Sequence, residues 1–167
     1  MITNAPEFSW YRCIIFSGGQ TGADRAALDW AIHKSIAHGG WCPKGRLATD
    51  GPLPFHYQLR ETESPGYRQR TKLNVIDSDA TVIFNMGELD GGTLQTVLFA
   101  QTLKKPYCLF HLDQVALAEV ASELFEWLRR TKIVTLNVAG PREEKRPGIY
   151  ASVFSVLDLC MALGDGR

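Results

Sequence analysis

The chain has no excess of charge of either sign: 18 Lys and Arg stand against 18 Asp and Glu in 167 residues. Without an overall field to draw it to DNA or to an anionic membrane, any anion binding must come from a local cluster. Its cysteines (Cys13, Cys42, Cys108 and Cys160) form no C-x-x-C pair, which reads as reduced core thiols and speaks against a disulfide framework. The histidines (His33, His38, His56 and His111) lack paired ligand spacing and any accompanying carboxylate or Cys cluster, so no structural metal is expected. No apolar run approaches the roughly 20 residues that span a bilayer, and no early stretch joins a basic segment to an apolar run and a cleavage site. A soluble cytoplasmic protein without membrane or nucleic-acid partners is the expectation. The Walker spacing GxxxxGK[ST], the full GxGxxG fingerprint and the GxSxG elbow are also missing, which removes sequence support for ATP hydrolysis, hydride transfer and serine hydrolysis.

What is present is alternation. Arg12 to Phe16 is a short β-rich run that breaks at a Gly-rich segment, Ser17 to Gly22, before helical spacing begins over Ala23 to Ala37 through Leu28, Ala31, Ile32 and Ile36. The pattern repeats: Ala80 to Phe84 reads as a buried strand, Asn85 to Gly92 as a loop, and Thr93 to Lys104 as a helix. Pro106 stops that helix, and strand Tyr107 to Phe110, helix Val115 to Arg130, strand Ile133 to Val138 and helix Gly148 to Leu163 follow. Short apolar strands alternating with helices predict an α/β fold, a Rossmann-like three-layer sandwich whose mainly parallel sheet carries helices on both faces. One domain over 1–167 is expected, with 1–10 as a loose extension and the Gly- and Pro-rich stretch from Gly39 to Pro65 as a loop with one or two short strands.

In such sheets ligands bind at the carboxyl ends of the strands, where both Gly-rich loops fall. Gly18, Gly19, Gln20, Thr21 and Gly22 precede a helix start whose free N–H groups favour a phosphate or similar oxyanion. Asp24 in the first turn suits the helix dipole and either binds a ligand hydroxyl or caps the helix. The plain alternative is that these glycines only make a tight turn. Gly91, Gly92 and Thr93 repeat the arrangement, and the two loops would share a crevice if their strands were neighbours. Gly39 to Arg46 joins two glycines, Trp41 and the cations Lys44 and Arg46, a mixture suited to a flat phosphorylated ring; equally, Trp41 and Cys42 end a buried strand and the cations are solvated. Arg70 near a helix start is unfavourable unless it meets a carboxylate or a ligand anion. Arg142, Lys145 and Arg146 follow the last strand and either close on the anion or decorate a connection.

The segments SGGQTGADRAALDWA, GGWCPKGR, RTKLNVIDSDATVIF, GGT and NVAGPRE resemble the molybdenum carrier family over nearly the whole chain, from Cys13 to Tyr150. That family is similar in turn to the Rossmann-like lysine-decarboxylase-like proteins and cytokinin-activating phosphoribohydrolases, whose pattern sets an Arg before a strand and a PGGxGTxxE loop after it. Arg70 and Asp79-Ala80 match the first part, and Gly91, Gly92 and Thr93 match the end of the loop. Thr96 stands where the pattern has its catalytic Glu, and a hydroxyl carries no charge to steady an oxocarbenium centre. The resemblance therefore implies a non-catalytic carrier holding the phosphorylated pterin of the molybdenum cofactor (molybdopterin) non-covalently on Gly18 to Gly22 and Gly91 to Thr93. Arg70, Lys44, Arg46 and Arg142 would be its counter-charges, and a molybdoenzyme its acceptor. The alternative is a nucleotide-derivative sensor or phosphoribohydrolase-like enzyme in which Asp24, Asp77 or Glu143 replaces the missing Glu. A homo-oligomer formed through the apolar closing helix is also expected.

Overall fold

Ala80 to Asn85 is buried at every position, on both faces at once, as expected of a central strand covered by helices on each side. The structure, a computed structural model, describes residues 7–165. The chain runs through β1 (Ile14–Phe16), α1 (Ala23–His33) and β2 (Ala37–Gly39) into four two-residue strands, β3 (Trp41–Cys42), β4 (Leu47–Ala48), β5 (Gly51–Pro52) and β6 (Arg60–Glu61). It continues through α2 (Tyr67–Ile76), β7 (Ala80–Asn85), α3 (Gly91–Thr102), β8 (Tyr107–His111), α4 (Leu117–Arg130), β9 (Thr135–Ala139) and α5 (Ile149–Asp165).

β2, β1, β9, β7 and β8 lie side by side in that order as one sheet. Every pairing in it is parallel, with Ile15 opposite His38 and Leu136, and Val82 opposite Val138 and Cys108. Helices α1, α4 and α5 pack together on one face, and their apolar side chains share a core with β1, β7 and β9 that includes Trp30, Leu124, Val153 and Leu157. α2 and α3 pack on each other and cover the opposite face. The three-layer α/β sandwich read from the alternation is the observed architecture.

Two differences from the expected elements stand out. The helix expected to reach Ala37 ends at His33, because Ser35 takes a left-handed φ of 56° and the Ile36 N–H donates back to the Ala31 carbonyl. Ala37, His38 and Gly39 then form the edge strand, a set with little intrinsic β preference that pairing with β1 holds extended. In the presumed extension the first six residues lie outside those described, whereas Trp10 is 4% exposed and meets Trp30 edge to face. The closing helix buries Ile149, Val153, Val156, Leu157 and Cys160 in the intrachain core and leaves Leu159 and Leu163 exposed. Among the described residues no helix is long and apolar enough to cross a membrane.

Candidate functional site

β1 and β7 are not neighbours; β9 lies between them. From β1 the chain moves to one edge, β2, and from β7 to the other, β8, so α1 and α3 leave the sheet on opposite faces. The two Gly-rich loops diverge above β9 and leave a crevice of about 400 Å³ at the carboxyl ends of these strands, the place where strand order reverses in open α/β sheets. Its floor is the end of β9 with Gly140 and Pro141, and its walls come from the first loop, α2 and the start of α3.

Gly18, Gln20, Asp24, Arg70, Gly91, Gly92, Thr93 and Arg142 are brought together there. Arg70 reaches across from α2, and its Nη1 donates to Asp24 Oδ2 at 2.7 Å, with side-chain exposures of 11% and 7%. Gly18 is required for this pair, because a Cβ at that position would fall inside the Arg70 guanidinium. Burial pushes the Asp24 carboxyl above the ordinary carboxylate range, and the charge and hydrogen bond of Arg70 oppose that rise. The awkward Arg70 of the sequence thus meets a carboxylate of the protein itself.

The two helix starts differ. At α1 the Ala23 N–H donates to the Pro141 carbonyl at 3.1 Å and the Thr21 N–H to Gln20 Oε1 at 2.9 Å, while the Thr21 hydroxyl donates to Glu144 Oε2 at 2.7 Å. The Thr21 hydroxyl is also the main influence holding the Glu144 carboxyl below its usual range. Protein groups therefore close part of this end, and the Gly22 and Asp24 N–H groups meet no acceptor among the described residues. At α3 the first helical bond runs from the Leu94 N–H to the Asp90 carbonyl at 3.0 Å. The N–H groups of Gly91, Gly92 and Thr93 meet no acceptor among the described residues. Asp90 does not cap them; its carboxylate pairs with Lys145 at 2.6 Å, which holds it below the usual range. Lys145 and Arg142 line the same crevice, and Arg142 has no salt bridge or side-chain hydrogen bond among the described residues.

Several expected site residues lie elsewhere. Gly19 faces Leu53 and Leu59, and Gly22 sits on the backbone of Arg142 and Glu143. Lys44 is exposed on the loop. Arg46 is 8% exposed and donates to the carbonyls of Leu53, Pro54, Tyr57 and Leu59, so it organises its own loop and is not a counter-charge of the crevice. Of the acids weighed as substitutes for the missing Glu, Asp77 accepts from Trp41 Nε1 and Arg60, and Glu143 accepts from the Gly148 and Tyr150 N–H groups. Only Asp24 lines the crevice. Thr96 lines it as well, its hydroxyl donating to the Gly92 carbonyl at 3.0 Å.

The sequence reading missed Tyr67, Thr71 and Asn74 on α2, Gln95 on α3 and Asn137 on β9. A signal existed: Tyr67, Arg70, Thr71 and Asn74 follow the i, i+3, i+4, i+7 spacing of one helix face, and Asn137 is an amide set between Leu136 and Val138 in a central strand. Among the described residues no three His, Cys, Asp or Glu side chains form a metal-binding group.

Gly22 gives a direct test of how tightly the floor is built. Its φ of 84° is barred to most side chains, and an added Cβ would come within 2.6 Å of the Glu143 nitrogen. Gly22→Ala should lower unfolding stability by about 3 kcal/mol through backbone strain and overpacking, read by chemical denaturation. Gly92→Ala, with nothing within 4 Å of its Cβ, should show no loss.

A wholly parallel five-stranded sheet with a glycine-walled crevice at its switch point defines a Rossmann-like α/β domain. Residues 15–161 match the circularly permutated YpsA SLOG family, and the chain belongs to that family. It is similar to a crystal structure from Syntrophus aciditrophicus described as a "Putative molybdenum carrier protein", with 46% identity over 89% of this chain and 94% of the other and a TM-score of 0.87. No curated protein matches the chain.

Proposed function

We propose that this protein is a non-catalytic molybdenum cofactor carrier that holds a phosphorylated pterin in the crevice. The observation that carries this is the open start of α3, where three unpaired N–H groups and the positive end of the helix dipole converge beside Arg142 and Lys145. A phosphate there would complete hydrogen bonds that the protein leaves unmade. The description of the 46% identical structure supports molybdenum-related cargo, and the absence of a carboxylate at Thr96 fits binding without turnover. The first loop shapes the crevice and seats Arg70, and the α3 loop takes the anion. Reversible hydrogen bonds and charge pairs suit a protein that must release its cargo to a molybdoenzyme acceptor.

Gly92→Asp tests the site cleanly. A Cβ at this position has nothing within 4 Å, and an acid in the first turn of a helix is favourable for folding. Calorimetric titration with intact molybdenum cofactor, beside AMP and molybdate, should give saturable cofactor binding that falls at least tenfold in the variant, about 1.4 kcal/mol. Equal affinity in both proteins would move the anion away from α3. A preference for AMP would replace the carrier with a nucleotide-handling protein.

A further inference from the structure

The crevice contains one carboxylate, Asp24, among residues that are otherwise neutral or basic. It sits at the start of α1, on the face of the sheet opposite α3. Oδ2 accepts from Arg70, the Gln20 backbone supplies a further hydrogen bond, and no other side chain donates to it among the described residues. Arg70, for which Gly18 leaves room, fixes it in place, and the guanidinium, which does not lose its proton in proteins, favours its ionised form against the opposing effect of burial. An ionised carboxylate only accepts hydrogen bonds, and it repels phosphate. The floor beside it is similar in character: the Asn137 amide nitrogen donates to Thr81 Oγ1 at 3.3 Å, which leaves the amide oxygen to accept.

We infer that Asp24 is a specificity-determining residue that reads a ring edge carrying adjacent N–H donors, an exocyclic amino group beside a ring lactam N–H, while the phosphate of the same ligand rests on α3. Pterin and guanine rings carry that edge; hypoxanthine lacks the amino group, and adenine presents a bare ring nitrogen in place of the lactam N–H. A carboxylate meets two parallel donors with two oxygens, the same complementarity that joins it to a guanidinium. Adenine would instead set a lone pair against the carboxylate. The inference rests on the crevice being the ligand site proposed above, and it adds which end of the ligand faces which wall.

The test is competition titration of the full chain with GMP, IMP and AMP, followed by the same series on Asp24→Asn. GMP should bind at least tenfold more tightly than IMP and more tightly still than AMP. In Asp24→Asn the GMP to IMP ratio should fall to within about threefold. A general gain in anion affinity from the unmasked Arg70 cancels in that ratio. Equal binding of GMP and IMP by the unaltered protein overturns the inference whether or not the variant folds, as does a GMP preference that survives in Asp24→Asn. If no nucleotide binds, the Asp24 inference fails. The carrier proposal fails with it only if the molybdenum cofactor is also not bound.

Discussion

Arg70→Ala should destabilise the fold by about 3–5 kcal/mol, the cost of leaving one member of a buried ion pair without the other, read as a lower urea midpoint at an unchanged m-value. Nη1 of Arg70 lies 2.7 Å from an Asp24 side chain that is only 7% exposed, and water cannot readily replace it. The pH dependence of the variant has a definite sign. Burial raises the folded-state Asp24 above its unfolded value of about 3.9, and loss of Arg70 removes the main opposing influence. The folded variant therefore holds a proton that the unfolded chain releases. Its stability is greatest below the unfolded value and declines as pH rises toward the folded one, by up to about 1.4 kcal/mol per unit. The loss relative to the parent protein should widen from pH 4 to pH 7. Asp24→Asn combined with Arg70→Met, which removes both charges, should recover much of the loss; a double variant as unstable as Arg70→Ala would place the cost in packing and not in charge.

Arg46→Ala should release the segment from Leu53 to Leu59. One guanidinium supplies donors to four carbonyls over that stretch, at 2.7 to 3.2 Å, and stacks over Phe55. Each carbonyl stripped of a charged donor loses roughly 1.5–3 kcal/mol before water returns, so a net loss of about 3 kcal/mol is expected, with amide exchange across 53–59 faster by about 100-fold. Arg46→Lys should not rescue it, because a compact ammonium with three donors cannot span the four acceptors that a planar fork reaches. Cofactor affinity should change little. A variant that kept its exchange protection but lost cofactor affinity would return Arg46 to the ligand site, where the sequence pattern had put it.

That contrast shows where local reasoning stops. The pattern around Arg46, glycines and an aromatic beside two cations, is the same whether the guanidinium faces a ligand phosphate or four carbonyls of its own loop. Only the path of residues 53–59 separates the two, and that path is held by Tyr57, whose hydroxyl donates to Asp29 at 2.5 Å on α1. The Gly-rich loops are a second instance. Their glycines and following helices were legible, yet the α1 start is partly closed by Pro141, Gln20 and Glu144, the first and last of which approach from the β9–α5 connection. The α3 start remains open.

The sequence by itself determined the alternation of buried strands and helices, the parallel sheet that alternation requires, and the position of both Gly-rich loops at the strands' carboxyl ends. Those follow from periodicity and turn chemistry, which act over a few residues. Tertiary structure decided that β9 separates β1 from β7, that Arg70 meets Asp24 across 46 residues of chain, and that Pro141 takes the Ala23 N–H at one helix start while the Gly91, Gly92 and Thr93 N–H groups at the other meet no acceptor among the described residues. Strand order and charge pairing depend on groups far apart in the chain, and they take form only when the apolar faces of the sheet are buried and distant segments are brought to one edge.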